Sequence, residues 1–480
     1  IPHWSYSNGI PLYISSAILS NMILKFIDRE EEMNALESAY RSGKSELFII
    51  YGRRRMGKTE LVKKFAEEKK HFYFLAKQQP LELEFARFRE KLSKKFNIFL
   101  EGKSWEGLFQ EITEKIRGRL VIIIDEFPFW VMKDRGIVSE FQYLWDEILK
   151  GRDVFLVLLG SYMSLMEQEV LDYKSPLFGR RTGQIYLKSM DVEHISSFFP
   201  MYSVENIVKT FGALDTIPYY LMQFDPKIGF ERNILGTFLN KINPLYQDAE
   251  ILLGIELREP NTYFNIIKSV LEGSTKITEI AGKSKVDVTN LPKYMNVLVK
   301  LALVEKVKPI TSSPKEKNYL YVLKDNYFRF WLTYVYPYRE EIEETPKEHL
   351  AFILKSLPGY MGPVFEEFIR KSLTRLVPGF TKIGKWWFRD NEIDIVAVNE
   401  RTNRIMFGEC KWQDNVDAEK TIRELKEKAG LVEWNRKGRK DIFAVFAKSF
   451  RNKAEAKKRG AMLFDLGDIG SSLGIKPKKT

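Results

Sequence analysis

The sequence predicts an α/β chain of several domains, and three observations carry that prediction. Gly52-Arg-Arg-Arg-Met-Gly57-Lys58-Thr59 lies between an apolar run, Leu47–Tyr51, and a helix-like stretch, Glu60–Glu68. A second apolar run, Leu120–Ile124, ends in Asp125-Glu126. Far downstream, Glu392–Val398 and Arg404–Trp412 read as a β-hairpin joined by the polar turn Asn399–Asn403. The first two features belong to parallel strands buried on both faces. The third belongs to a separate sheet.

The first segment has the G-x-x-x-x-G-K-[ST] spacing of a phosphate-binding loop in a strand–loop–helix setting. Gly52 and Gly57 let backbone N–H groups of Arg53, Arg54, Arg55 and Met56 curl toward phosphate oxygens, and the following helix adds its positive end. Lys58 is placed to neutralise the β/γ-phosphates, and the Thr59 hydroxyl to ligate Mg²⁺. The Asp125-Glu126 pair completes the arrangement. Asp125 would hold Mg²⁺ through water and Glu126 would polarise the attacking water. A third buried run, Val154–Leu159, ends in Gly160-Ser161. Ser161 reads either as a γ-phosphate sensor or as a strand-to-helix cap. Arg180 and Arg181, in Leu177–Gly183, read either as transition-state cations or as a solvated turn.

Length and composition set the frame. The 480 residues allow two to four domains, and 44% hydrophobic residues fill real cores. The net charge of +12 favours a polyanionic partner. A single cysteine, Cys410, excludes an internal disulfide framework, and with only four histidines a structural zinc site is not expected. No apolar run reaches membrane-spanning length, so a cytoplasmic protein without a membrane partner is expected. Residues 1–21 read either as an N-terminal extension or as an upstream mis-start, and the compact domain is expected from Met22.

Between the two α/β parts, residues 255–338 read as a winged helix followed by an aromatic packing segment. Tyr263–Leu271, Ile277–Ala281 and Leu291–Leu301 carry helical spacing, with Leu303–Val307 and Tyr319–Leu323 as strands and Thr311–Lys317 as the wing. The third helix would offer Lys293 and Lys300 to DNA, with Lys285 just upstream, although such units also dock proteins. Tyr327–Tyr338 reads as interdomain core in preference to a base-stacking platform. Residues 339–358 read as a linker and 469–480 as a basic tail.

In the C-terminal hairpin, side-chain alternation puts Glu409 and Lys411 on one face, and Asp394 joins them from the neighbouring strand. Glu366, on a helix over Phe365–Leu373, is expected to complete the cluster. Carboxylates around a lysine suit a divalent cation, Mg²⁺ or Mn²⁺, beside a nucleic-acid phosphate. Structural salt bridges are the competing reading. The basic stretch 431–460, with Arg436, Lys437, Arg439, Lys440, Lys457, Lys458 and Arg459, either tracks phosphates or forms a solvated face.

These motifs resemble known families. Met22–Glu32, Gly52–Thr59, Ile122–Glu126, Gly160-Ser161, Pro176–Gly183 and Gly212–Leu221 resemble the successive motifs of the archaeal ATPases, in the STAND branch of AAA+-like P-loop proteins. The resemblance implies a core over 22–190 and a helical lid over 191–254, with Pro218 near the nucleotide. Gly362–Glu366, Glu392–Ala397 and Phe407–Trp412 resemble the restriction-endonuclease-like PD-(D/E)xK fold, and more closely the C-terminal domain often fused to archaeal ATPases. Asp394 follows Glu392-Ile393 where that fold usually has Pro-Asp. Together the resemblances imply an ATP- and Mg²⁺-dependent ATPase acting on nucleic acid, DNA first, through a nuclease-like domain over 359–468, and they are compatible with a homo-oligomer. Two alternatives remain open: a STAND-type regulatory switch, and a winged-helix transcription regulator, each with an inactive nuclease-like domain.

Overall fold

The computed structural model describes residues 27–313, 319–458 and 460–475. The expected extension 1–21, the opening residues Met22–Phe26, most of the expected wing, Arg459 and the last five residues lie outside the described residues.

Strands β1 (Glu46–Tyr51), β2 (His71–Leu75), β3 (Leu120–Asp125), β4 (Val154–Gly160) and β5 (Gly183–Tyr186) form a parallel sheet in the order β2-β3-β4-β1-β5. Successive side chains point to opposite faces. Phe48, Ile50, Val121, Ile123, Phe155 and Val157 therefore enter one core, and Leu47, Ile49, Ile122, Ile124, Leu156 and Leu158 the other. Each fully buried aliphatic chain contributes about 1.5–3 kcal/mol, which is why these runs are apolar throughout. Helices Leu81–Phe96 and Trp105–Lys115 cover the second face with Phe88 and Phe109, and Ser104 caps the latter helix by accepting the Gly107 N–H at 3.1 Å. The loops that carry Gly52–Thr59, Asp125-Glu126 and Ser161 leave the carboxyl ends of β1, β3 and β4.

A helical segment follows, with Val204–Leu214, Pro218–Leu221, Phe230–Gly236 and Asp248–Glu256. Next come three helices, Pro260–Leu271, Ile277–Ser284 and Leu291–Lys300, and an antiparallel pair, β6 (Val304–Val307) and β7 (Leu320–Leu323). In the following helix, Asn326–Tyr334, the side chains of Tyr327, Phe328, Phe330 and Trp331 are buried. The Tyr327 ring lies 4.1 Å from that of Tyr220 and 5.8 Å from that of Phe238. The aromatic segment is core.

The stretch expected as a linker is helical. Arg339–Glu344 forms one short helix, and Pro346–Leu376 forms a single long one that runs through Pro358 and Pro363. An interior proline costs about 3 kcal/mol. Burial offsets it: Ile353, Leu357, Met361, Val364, Phe365 and Phe368 are sealed from solvent along this helix. Its close neighbour is Val204–Leu214, where a Cβ added at Gly212 would stand 3.0 Å from Val364 Cγ1. Tyr360 also donates its hydroxyl to the Gly212 carbonyl at 2.6 Å. The chain thus has no break between this helical segment and the C-terminal part.

The second sheet has the order β12-β11-β10-β9-β8, built from β8 (Lys382–Phe388), β9 (Asn391–Asn399), β10 (Arg404–Lys411), β11 (Lys440–Ala447) and β12 (Met462–Phe464). β8, β9 and β10 are antiparallel neighbours, while β11 and β12 run parallel to β10. Helix Ala418–Ala429 packs on it through Leu425 and Ala429. The described part of the expected tail is not loose. It ends the helix Leu466–Ser472, and Ile469, Leu473 and Ile475 are buried in the same core as Val204–Leu214. No described helix is long and apolar enough to cross a membrane.

Candidate functional site: a phosphate loop tied to the lid

Gly52 leaves β1 with φ 155°, and a Cβ there would come within 2.5 Å of the Leu187 carbonyl oxygen. Gly57, at φ 87°, caps the helix Lys58–Ala66. These two glycines set the loop's curl. Lys58 is buried and donates from Nζ to the carbonyls of Gly52 at 2.7 Å and Arg53 at 2.9 Å. Burial lowers its pKa to about 8 against the raising pull of Glu126 and Asp125. Thr59 Oγ1 donates to Asp125 Oδ2 at 2.7 Å, so the two expected Mg²⁺ ligands converge across β1 and β3. Glu126 has φ 56°, and its Oε2 accepts the Ser161 N–H at 3.3 Å. Ser161 therefore borders this site with its backbone. Two hard oxygen donors beside a buried lysine fit a Mg–nucleotide.

Three contributors escaped the sequence reading. Tyr73, on β2, donates its hydroxyl to Asp125 Oδ2 at 2.7 Å. A tyrosine alternating with Phe72 and Phe74 on the strand beside β3 was the available signal. Glu256 accepts Arg54 Nε at 3.0 Å, and Arg54 Nη1 lies 3.8 Å from Glu126 Oε1. Burial raises the Glu256 pKa, Glu126 adds to the rise, and Arg54 opposes it. Asp325 forms a buried ion pair with Arg53. Glu256 and Asp325 lie about two hundred and more residues from the loop, beyond any local pattern.

Arg53, Arg54 and Arg55 were expected to meet phosphate through their backbone N–H groups, and their side chains are engaged elsewhere. Arg53 pairs with Asp325, Arg54 with Glu256 and Glu126, and Arg55 with Asp248. Arg55 also reaches the Tyr220 hydroxyl at 3.1 Å and lies 4.8 Å from the Tyr219 ring centroid. Acidic partners on the helix Asp248–Glu256 and at the start of Asn326–Tyr334 outcompete solvent for these cations. Of these three residues, the backbone N–H groups are what could face a phosphate. Pro218 opens the short helix that carries Tyr219 and Tyr220, so it stands behind the residues that grip Arg55.

Arg180 and Arg181 do not join the site of their own chain. Thr182 pairs with Leu47 and Gly183 with Phe48, which puts both arginines at the amino end of the sheet. The five steps from Glu46 to Tyr51 separate them from the phosphate loop by roughly 17 Å of strand. Arg180 instead pairs with Asp146 at 3.0 Å, and Arg181 donates to the Leu171 carbonyl at 3.0 Å.

In the second sheet, the β9–β10 register pairs Ile395 with Gly408, so Asp394 faces Glu409 on the same side. Asp394 Oδ2 accepts the Cys410 N–H at 2.8 Å. Burial, then the Glu366 and Glu409 carboxylates, push the Asp394 pKa up to about 7. Glu366 pairs with Lys385, while Glu409 takes Lys411 at 2.8 Å and Lys428 at 3.3 Å. Burial opposes the charge on Lys411, yet its bond to Glu409 holds its pKa above the ordinary value. The four residues do converge, but lysines hold two of the three carboxylates. Among the described residues, no three His, Cys, Asp or Glu side chains are arranged to hold a metal ion. The expected open three-carboxylate cleft is thus corrected to a buried, lysine-neutralised cluster. Nearby, Arg439 is engaged with Asp441 at 2.8 Å and with the Val432 carbonyl at 2.7 Å, so part of the basic stretch is structural. On the three-helix unit, Lys300 pairs with Glu167 of the first sheet's domain while Lys293 stays exposed.

Two families match separate stretches of the chain. Residues 26–224 match a family described as an ATPase domain predominantly from Archaea. Residues 331–422 match a family of archaeal and bacterial proteins of unknown function. An uncharacterized protein of Methanocaldococcus jannaschii is 35% identical over 454 residues, covering 92% of this chain and 100% of its own length. An uncharacterized ATP-binding protein of the same organism is 30% identical over 281 residues, covering 52% of this chain and 73% of its own. A Walker-type ATPase of Pyrococcus abyssi aligns in structure with a TM-score of 0.47 and 22% identity, covering 64% of this chain and 96% of its own. With the phosphate loop and Asp125-Glu126 assembled at the carboxyl edge of a parallel sheet, the chain belongs to the family of P-loop ATPases found predominantly in Archaea, joined to that C-terminal domain of unknown function.

Proposed function

We propose that the chain is a Mg²⁺-dependent ATPase whose nucleotide cycle governs action on nucleic acid by its C-terminal part. The observation that carries the ATPase reading is the meeting of Thr59 and Asp125 at 2.7 Å beside Lys58 and Glu126. Thr59 and Asp125 would hold Mg²⁺, which when bound screens the charge of the triphosphate. Lys58 leaves its loop carbonyls to take the β/γ-phosphates. Glu126 orients water and accepts its proton as the water oxygen bonds to the γ-phosphorus and the bond from that phosphorus to the β–γ bridging oxygen breaks, with ADP as the leaving group. Tyr73 holds Asp125 in place. Phosphate release assays with Lys58→Ala and Glu126→Gln test this. Lys58→Ala is expected to lose tight ATP binding, and Glu126→Gln to keep binding while turnover falls by about 10²–10⁴. Unchanged turnover in both variants sinks the reading.

The nucleic-acid part rests on the +12 net charge and on the three helices and antiparallel pair of 260–323, which we read as a winged helix. For the second sheet, two readings compete. A cleaving site needs Mg²⁺ or Mn²⁺ at Glu366, Asp394 and Glu409, with Lys411 beside the bound water. A binding-only switch needs no metal there. The lysines on Glu366 and Glu409 favour the switch. Incubation with linear and single-stranded DNA, with either cation and with or without ATP, separates them. Cation-dependent cleavage that Asp394→Ala abolishes supports the nuclease, and intact DNA under every condition supports the switch.

A further inference from the structure

A cavity of about 840 Å³ opens at the amino ends of β4, β1 and β5, three neighbouring strands, on the edge of the sheet opposite the phosphate loop. It is walled by the turns that precede these strands. Five cations line it: Lys44, Lys150, Arg152, Arg180 and Arg181. The two carboxylates in its wall already have partners. Asp146 holds Arg180 at 3.0 Å, and Asp153 holds Arg119 at 3.2 Å. Lys44, Lys150 and Arg152 are exposed and have no acidic partner among the described residues.

A fold gains nothing by gathering unpaired like charges in a concavity. Helix C-termini at this edge favour cations by only about 0.3–1 kcal/mol each, which explains one lysine at a helix end but not a converging set. A recess with low-dielectric walls and one sign of charge concentrates an anion. The cations come from three separate turns, so they suit a ligand with several spaced negative charges better than a single ion. A Cβ added at Gly43, Gly151 or Gly179 would meet nothing within 4 Å, so the rim admits a bulky chain.

We propose that this cavity is a binding site for the phosphate backbone of a nucleic acid, at the edge of the sheet away from the nucleotide. The proposal rests on the reading that the chain acts on nucleic acid, and it locates that contact in the ATPase domain itself.

The test is fluorescence anisotropy of labelled single-stranded and duplex DNA with the full chain, across a salt series. The variant is the triple Lys44→Glu/Lys150→Glu/Arg152→Glu, with the triple glutamine variant as a milder control, and ATP affinity reports intact folding. Both triples are expected to keep ATP affinity. The glutamate triple is expected to bind DNA at least tenfold more weakly, with the slope of log affinity against log salt flatter by about two to three. If the parent chain binds no DNA at low salt, the nucleic-acid reading fails and this site with it. If the parent binds and both triples match it within twofold, only the cavity assignment is overturned. If tripolyphosphate displaces DNA at an equal concentration of phosphate, the cavity serves a free polyphosphate and the proposal is wrong.

Discussion

At the scale of single residues, two buried ionisable groups give pH-dependent predictions of opposite kind. Lys58 is held near pKa 8 by burial. A bound triphosphate favours its charged form and raises that pKa, so ATP binding takes up a proton wherever the free protein has lost one. ATP affinity should therefore fall above about pH 8, by up to tenfold per pH unit. Titration calorimetry at pH 8.5 in two buffers of different ionisation heat should register proton uptake. Heats independent of buffer would contradict the placement of Lys58. Asp394 is the converse case, raised from 3.8 to about 7 by burial and its neighbouring carboxylates. The native state binds more protons than the unfolded chain between these values. Its contribution to stability is complete below about pH 3.8 and is lost as pH rises through 7. Asp394→Asn keeps an oxygen for the Cys410 N–H and removes the titration. Its Tm relative to the parent should rise between pH 4 and pH 8, and a constant difference would overturn the coupling.

At the scale of elements, the phosphate loop is tied to helices far along the chain by its own arginines. Arg53–Asp325 is the most buried of these ties, with side chains 5% and 1% exposed. Asp325 also caps the helix Asn326–Tyr334 by accepting the Phe328 N–H at 2.8 Å. Removing one partner strands a buried charge. Asp325→Ala should cost about 3–5 kcal/mol, whereas Arg53→Met with Asp325→Leu should recover most of that loss. Urea unfolding of both variants checks this, and equal destabilisation would show that the cap matters more than the pair. Next to Asp325, the Asn326 N–H donates to Asp215 at 3.1 Å, and Asp215 lies 3.7 Å from Lys371 on the long helix. A polar chain therefore runs from the loop to the helix that carries Glu366.

At the scale of the molecule, one apolar core joins the first sheet, the lid, the long helix and the second sheet, from Leu36 through Met361 to Phe446 and Ile475. The Pro346–Leu376 helix is the shared element. A chain cut after Lys355 loses Met361, Val364 and Phe368 from the lid's packing. It should be insoluble or bind ATP poorly, while the full chain melts in one calorimetric transition. Two well-separated transitions, or a soluble truncated chain with parental ATP affinity, would refute the shared core.

The sequence by itself determined what depends on near neighbours. The glycine spacing of Gly52–Thr59, the apolar runs that end in Asp125-Glu126 and Gly160-Ser161, and the alternation that sets Glu409 beside Lys411 are local, because strand and loop geometry act over a few residues. The hairpin register, with Asp394 facing Glu409, followed from the same periodicity. Tertiary structure alone decided the rest. Helicity through Pro358 and Pro363 came from burial against Val204–Leu214, which outweighs a local penalty. The partners of Arg53, Arg54 and Arg55 came from helices remote in sequence. Arg180 and Arg181 were carried to the far edge of the sheet by the register of β5 against β1. Lys385 on Glu366 and Lys428 on Glu409 arrived from β8 and from the helix Ala418–Ala429. Charge pairing and apolar burial act through space, and spacing along the chain does not record which distant side chains will share it.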